Sequence, residues 1–372
     1  MKLAILGSRG IPNNYGGFEQ FATQLSADLA DEEFEVWVYS PHDHPYGNDR
    51  WGRVSIIHCY SPEYLIGQAG QYVYDFNCIV DARRRGFDLI LQLGYTSNSV
   101  WKWLLPKRSL VVTNMDGLEW KRSKYNPLVR KFLILAEKWA VESSHCLVAD
   151  SVAIHQYLVQ KYARPVVFIP YSAAAFLPQN EHPALLPGLK SGGYLLLIAR
   201  LQADNSIEAI IRGVLLAGTD LPLVVIGDFN HRYGRRLKRK FGSSAVRFEG
   251  AIYEQALLNE LRYHSRFYFH GHTAGGTNPS LLEAMACSAR IIAHDNQFNL
   301  AVLGENAAYF TDSSDLAVTL AAEASNPDWP RRIENNLDSI RLNYSRKGVT
   351  HAYINLFRTL HIQKQADNVV ST

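Results

Sequence analysis

The 372-residue chain has four cysteines, and Cys59, Cys78, Cys146 and Cys287 stand far apart. No C-x-x-C pair and no Cys/His spacing of a zinc site occurs, so a disulfide scaffold and a zinc module are excluded, and a reducing, cytoplasmic compartment is expected. Long apolar runs are missing too. The opening run at residues 3–6 is far too short for a secretory signal and turns at once into glycine, and no later stretch is long enough to cross a bilayer. The expected protein is therefore soluble or peripheral. There is no G-x-G-x-x-G after the first strand pattern, which disfavours a nicotinamide or flavin dehydrogenase, and no Gly-Lys-Ser/Thr of a P-loop. Neither a D-x-D pair nor a His/carboxylate cluster at metal spacing is present, so no metal site and no cofactor is expected. Solenoid-length repeats and DNA- or RNA-binding signatures are also lacking.

What is present suits two ordinary domains. Hydrophobic residues make up 47% of the chain and charged residues 20%, enough apolar matter for substantial cores. The first fifty residues read strand 3–6, glycine loop 7–17, amphipathic helix 18–29 and strand 34–39, a β-α-β unit. Short apolar strands at 54–58, 89–93, 110–113 and 146–149 alternate with helical patterns, which predicts a parallel sheet covered on both faces. Residues 171–193 are rich in proline and glycine and read as a linker. A second alternation follows: strand 194–199, helix 206–216, strand 223–227, strand 246–248, helix 253–263, strand 267–269, a helix carrying Glu283, and strand 290–293. The predicted architecture is α/β, with two Rossmann-like doubly wound parallel-sheet domains, 1–170 and 194–343. A last helix, 344–360, should return to the first domain. Ligands of such sheets lie beyond the carboxyl ends of the strands, so the cleft between the halves is the expected site.

Two glycine loops carry the functional signal. In the segment 270–286, Asn278 is placed to cap a helix and Pro279 to occupy its first position. The amides around Gly276, Thr277 and Asn278 can then face an anion. Glu283, about a turn further on, can accept hydrogen bonds from ribose hydroxyls. An ordinary capped helix would account for the same residues taken alone. In the loop 7–19, four glycines between strand and helix let backbone approach a ligand closely. Net charge is +3, but nine bases face three acids between Lys102 and Lys138. Trp101, Trp103, Trp120 and Trp139 are interleaved with them. An anionic membrane surface and a solvated helix face with core tryptophans are both consistent with this pattern, and nucleic acid is the weaker third reading.

Gly16-Gly17-Phe18-Glu19, Ala199-Arg200-Leu201 and Leu282-Glu283-Ala284-Met285-Ala286-Cys287 together resemble glycosyltransferase family 4, retaining enzymes of the GT-B fold. Gly7-Ser8-Arg9-Gly10-Ile11-Pro12, residues 116–122 and residues 270–283 are similar to its bacterial rhamnosyltransferase branch. The resemblance implies that Glu283 holds the donor ribose, that Arg200 neutralises the diphosphate, that Gly16 and Gly17 lie against it, and that backbone around Ile252 and Tyr253 holds the nucleobase. Two positions depart from the wider family. The first glutamate of the E-x7-E motif falls on Gly275, and the expected lysine falls on Asn205. Arg9 could restore positive charge near the donor, or be a surface arginine. His272 could donate to the sugar or phosphate, or be satisfied within its loop. Asp116 is the best candidate for a base, and a turn-forming Asp-Gly explains it equally well.

The expected activity is a metal-independent transfer of a hexosyl or deoxyhexosyl unit, L-rhamnose above all, from a nucleotide diphosphate sugar such as dTDP-rhamnose or a UDP-sugar. The expected acceptor is lipid-linked or a polysaccharide in cell-surface glycan synthesis, reached at the inner face of the plasma membrane through the 101–139 region. A non-catalytic sugar-nucleotide-binding scaffold and another GT-B enzyme, an epimerase or phosphorylase, are the competing readings.

Overall fold

A computed structural model describes residues 1–122, 125–178, 185–273 and 276–370. The chain divides into two compact units. The first holds residues 1–121, 125–171 and the final helix from Lys347 onward; the second holds Arg122 and the described residues between Ser172 and Arg346.

The first unit is an eight-stranded sheet built from β1 (Lys2–Leu6), β2 (Glu35–Pro41), β3 (Arg50–Trp51), β4 (Val54–Cys59), β5 (Leu89–Leu93), β6 (Leu110–Asn114), β7 (Cys146–Ala149) and β8 (Val166–Phe168). Their spatial order is β3-β4-β2-β1-β5-β6-β7-β8. Every pairing is parallel except β3 with β4. All residues of β5, β6 and β7 are buried, as continuous Leu/Ile/Val runs covered on both faces require. The final helix, Arg346–Val370, presents Val349, Tyr353 and Phe357 at four-residue intervals, all buried. Tyr353 receives a hydrogen bond from the Asn114 side chain at 3.2 Å, and Thr350 donates to Asp28 at 2.8 Å.

The second unit is an all-parallel six-stranded sheet of β9 (Leu195–Ile198), β10 (Leu223–Ile226), β11 (Val246–Gly250), β12 (Phe267–His270), β13 (Ile291–His294) and β14 (Ala308–Phe310). The order is β11-β10-β9-β12-β13-β14. One core gathers Leu195, Leu197, Ile210, Ile211, Val225, Phe267, Phe269, Phe310 and Trp329. No helix among the described residues is long and apolar enough to cross a membrane.

Both sheets reverse direction of strand order at their centre, between β1 and β5 in the first and between β9 and β12 in the second. Strand-end loops diverge there and leave room for a ligand. In the first unit the loop after β1 begins at Gly7, with φ of +86° and a Cβ position only 2.3 Å from the carbonyl oxygen of Leu93. Only glycine fits. Gly7→Ala is predicted to destabilise the protein by roughly 1–3 kcal/mol through overpacking, with the strain of positive φ added; urea denaturation measures it, and an unchanged midpoint would contradict this packing.

Candidate functional site

The loops after β9 and β12 meet at the switch point of the second unit. Gly271 allows this, because a Cβ there would lie 2.2 Å from the carbonyl oxygen of Asn205. The main-chain oxygen of Asp204 then accepts two hydrogen bonds from Thr273, one from its amide at 3.2 Å and one from its hydroxyl at 2.8 Å. Arg122 donates to the buried Asp204 carboxylate at 3.3 Å. Asn205 is buried, and its amide donates to the carbonyl of Arg200 at 2.7 Å. That side chain therefore shapes the loop, and it does not replace the cation that the family resemblance places at this position. Arg200 itself is exposed. Among the described residues its guanidinium has no hydrogen-bond or ion-pair partner.

Asn278 caps the helix Pro279–Ala286 by accepting from the Ser280 amide at 2.9 Å, and Pro279 takes the first helical position, as a restricted φ and a missing N–H dictate. Thr277 is buried and Gly276 and Asn278 are partly so. Gly275 lies outside the described residues. Glu283 is partly exposed, and its carboxylate is held by Arg262 at 2.5 Å. Arg262 comes from the helix Gln255–His264 and its side chain is 2% exposed. Burial opposes its charge, and Glu283 together with Tyr268 and Cys287 outweighs that opposition and raises the guanidinium above the usual arginine range. Truncating Glu283 to alanine would strand that buried charge, at about 3–5 kcal/mol, so glutamine, which keeps an oxygen to accept from Arg262, is the milder probe of the carboxylate. Ile252 and Tyr253 follow β11 directly, the first partly buried and the second exposed.

His270 and His272 stack at 4.5 Å between ring centroids. The His272 carbonyl is fixed by Asn296 at 3.0 Å and Asn299 at 3.2 Å. His272 Nδ1 and both ring nitrogens of His270 are buried and unpartnered among the described residues. Burial, reinforced by the charges of Arg200 and Arg122, pushes His272 down to about 3. Burial pushes His270 well down too. His272 is thus a neutral imidazole, able to exchange a hydrogen bond but not to act as a cationic clamp.

The residues expected from the first half sit in the first unit. Gly16 is extended and precedes the helix Gly17–Asp31, its amide donating to Asn13. Arg9 makes a forked contact to Glu63, with nitrogen–oxygen distances of 3.1 Å and 2.8 Å, and lies over the Tyr15 ring at 4.3 Å. Its charge is therefore compensated within this unit. Asp116 lies just past β6 with φ of +48°, takes a hydrogen bond from the Tyr171 hydroxyl at 3.3 Å, and is partly exposed.

Sequence reasoning missed Arg262, Asp204, Asp75 and the two asparagines behind His272. Arg262 had a signal: it occupies a core position, one and four residues beyond the buried Leu261 and Leu258. Asp75 had none. Its carboxyl is buried, receives the Ser97 hydroxyl at 2.5 Å, and is pushed up to about 7 by burial.

The basic region is divided. Arg122 is engaged with Asp204, and Lys102 pairs with Glu142. Lys121, Arg130, Lys131 and Lys138 are exposed. Of the four tryptophans only Trp103 is largely exposed, at 64%, while Trp101 and Trp120 donate their indole N–H groups to the Tyr72 carbonyl and Glu137. Leu128, Ile134 and Leu135 on the helix Pro127–Ser143 add exposed apolar area.

Residues 107–174 match the model of a domain of unknown function, DUF1972. No curated protein matches the chain. Among solved structures it is similar to a sucrose-phosphate synthase from Thermosynechococcus elongatus, with 16% identity over 97% of this chain and 99% of that one and a TM-score of 0.80. An alpha,alpha-trehalose 6-phosphate synthase from Burkholderia multivorans shares 14% identity over 100% of this chain and 98% of that one, with a TM-score of 0.72. TarM shares 10% identity over 96% and 98%, with a TM-score of 0.69. The likeness spans both units and establishes the fold, the GT-B type with two Rossmann-like parallel-sheet domains.

The state of His272 has a consequence for stability. The unfolded chain takes up a proton at this residue near its ordinary 6.5, and the folded chain only near 3. Unfolding thus binds a proton throughout that interval, and stability falls as pH drops through it, by about 1.4 kcal/mol per pH unit for this group. His272→Gln should remove that share of the slope in denaturation curves across the interval; an unaltered slope would mean that His272 is protonated in the folded protein.

Proposed function

We propose that the chain is a glycosyltransferase that moves a hexosyl or deoxyhexosyl unit, L-rhamnose in the reading its motifs favour, from a nucleotide diphosphate sugar to a lipid-linked or polysaccharide acceptor. The observation that carries this reading is the switch point of the second unit. There a capped helix amino terminus, an exposed Arg200 without a partner among the described residues and a half-engaged Glu283 carboxylate follow the strand ends of one sheet. A diphosphate suits the first two and a ribose the third. The similarity of the whole chain to two sugar-phosphate synthases supports it.

In this mechanism Arg200 and the amides around Gly276, Thr277 and Asn278 stabilise the charge that develops on the leaving diphosphate, preorganised help that needs no cation. The family resemblance supports retention by front-face attack, in which the leaving phosphate takes the acceptor proton. Neutral His272 contributes a hydrogen bond to the sugar or phosphate; the family resemblance alone assigns Gly16, Gly17 and Arg9 to the donor and Asp116 to the acceptor hydroxyl. Backbone at Ile252 and Tyr253 holds the base, which is compatible with either dTDP-rhamnose or a UDP-sugar.

Glu283→Gln keeps an acceptor for Arg262 but removes one for ribose. It is predicted to weaken binding of nucleotide diphosphate sugars by about 1.5–3 kcal/mol, the range for a lost charged hydrogen bond, in calorimetry on folded protein. Equal affinity would remove Glu283 from the site.

The acceptor assignment includes a membrane. Lys121, Arg130, Lys131 and Lys138, with Trp103 and the exposed leucines of the helix Pro127–Ser143, form a basic and apolar face suited to anionic headgroups. Each base near such a surface contributes about 1 kcal/mol. The protein should therefore sediment with anionic vesicles at low salt, and replacing these four bases with glutamine should abolish this while sparing donor binding. Indifference of the wild-type protein to anionic vesicles would overturn the membrane reading.

A further inference from the structure

The Arg262–Glu283 pair is unusual for its asymmetry. One partner is 2% exposed and the other 18%, and the contact uses a single carboxylate oxygen, Oε2, at 2.5 Å. Among the described residues no second hydrogen bond reaches the Glu283 carboxylate. Arg262 is itself fixed: Nη1 donates to Asn259 at 3.4 Å, and Asn259 is held by the Gln255 amide at 2.9 Å. The helix that carries Glu283 is tied to β12 by the contact between the hydroxyls of Tyr268 and Ser280, 2.7 Å apart. The helix Gln255–His264 begins immediately after the segment assigned to the nucleobase.

From this asymmetry we infer that Arg262 is a positioning residue for the nucleotide: it locks the Glu283 side chain through one oxygen so that the other is presented, already oriented, to a ribose hydroxyl. This deepens the proposed donor site and rests on it. A glutamate free to rotate would lose conformational entropy on binding a diol, and a carboxylate fixed in advance loses little. The geometry of the fork matters as well as its charge. A planar guanidinium can hold a carboxylate oxygen and an amide oxygen in one plane, whereas a lysine ammonium supplies the charge without that constraint. One rigid helix then mounts both the base-side loop and the group that orients the ribose contact.

The test is calorimetric titration of the full chain with UDP and with dTDP, for wild type, R262K, R262M, E283Q and the double variants R262K/E283Q and R262M/E283Q, with thermal unfolding run on each. The expected result is a loss of about tenfold in affinity for R262M and a smaller loss for R262K, with no further loss when either is added to E283Q. That coupling is what a purely structural ion pair would not produce. Should R262M fail to fold, the R262K pair of variants carries the comparison. Folded R262K and R262M that bind as wild type would overturn the inference, as would a loss repeated in full on the E283Q background. A wild-type protein that binds neither nucleotide would overturn the donor reading itself, a result distinct from both.

Discussion

The main-chain oxygen of Asp204 accepts both the amide and the hydroxyl of Thr273, and this join between two strand-end loops shapes the surface at the carboxyl end of the second unit's sheet. It brings the loop after β9, with Arg200, beside the loop after β12, with His272 and the start of the Glu283 helix. Gly271 is what permits the approach, since any side chain there would strike the Asn205 carbonyl. Asn205, buried beneath, holds the Arg200 carbonyl and so fixes the turn from which the arginine projects. Two loops that would otherwise splay apart from a twisted sheet become one surface.

Electrostatics follow from that burial. Charges inside the surface are paired, as Arg262 with Glu283 and Asp204 with Arg122, because an unpaired buried charge is far costlier than an exposed one. The histidines take the other route and stay neutral, stacked on each other, with the charges of Arg200 and Arg122 adding to burial at His272. Positive charge is thereby left at Arg200 alone of the assigned cations, since Arg9 is neutralised by Glu63. The proposed donor site, with Gly275 and Asn205 where the family resemblance expects an acid and a lysine, would rest on a simpler balance: the Arg200 guanidinium, without a partner among the described residues, and a helix amino terminus for an anion, and one Glu283 carboxylate oxygen for a hydroxyl.

The strands with the strongest apolar runs were legible in the sequence to within a residue or two: 89–93 and 110–113 appear as β5 and β6, and 223–227 as β10. Their legibility comes from burial on both faces, which demands unbroken Leu, Ile and Val. The edge strands β3, β8 and β14 escaped, being two or three residues long with partly polar environments. The Asn278 cap and Pro279 start were legible because capping is local chemistry, written within four residues. Arg262 and Asp75 were not read, since their roles depend on partners 21 and 22 residues away. Asp204 was hidden for another reason: its carbonyl, which any residue has, does much of the joining. The basic stretch at 102–138 looked like one surface, and folding separates it, sending Arg122 to Asp204 and leaving a smaller exposed face.

In the proposed reaction the switch point of the second unit binds a nucleotide diphosphate sugar and its glycosyl–phosphate bond is cleaved without a metal. Its most direct test is to incubate the protein with dTDP-rhamnose and with UDP-sugars under exhaustive chelation, following nucleotide diphosphate release with and without a lipid-linked or polysaccharide acceptor. Release is expected from one donor class, accelerated by acceptor and unaffected by chelator; release that stops under chelation and returns with Mg²⁺ or Mn²⁺, or binding with no release under any condition, would contradict this reaction.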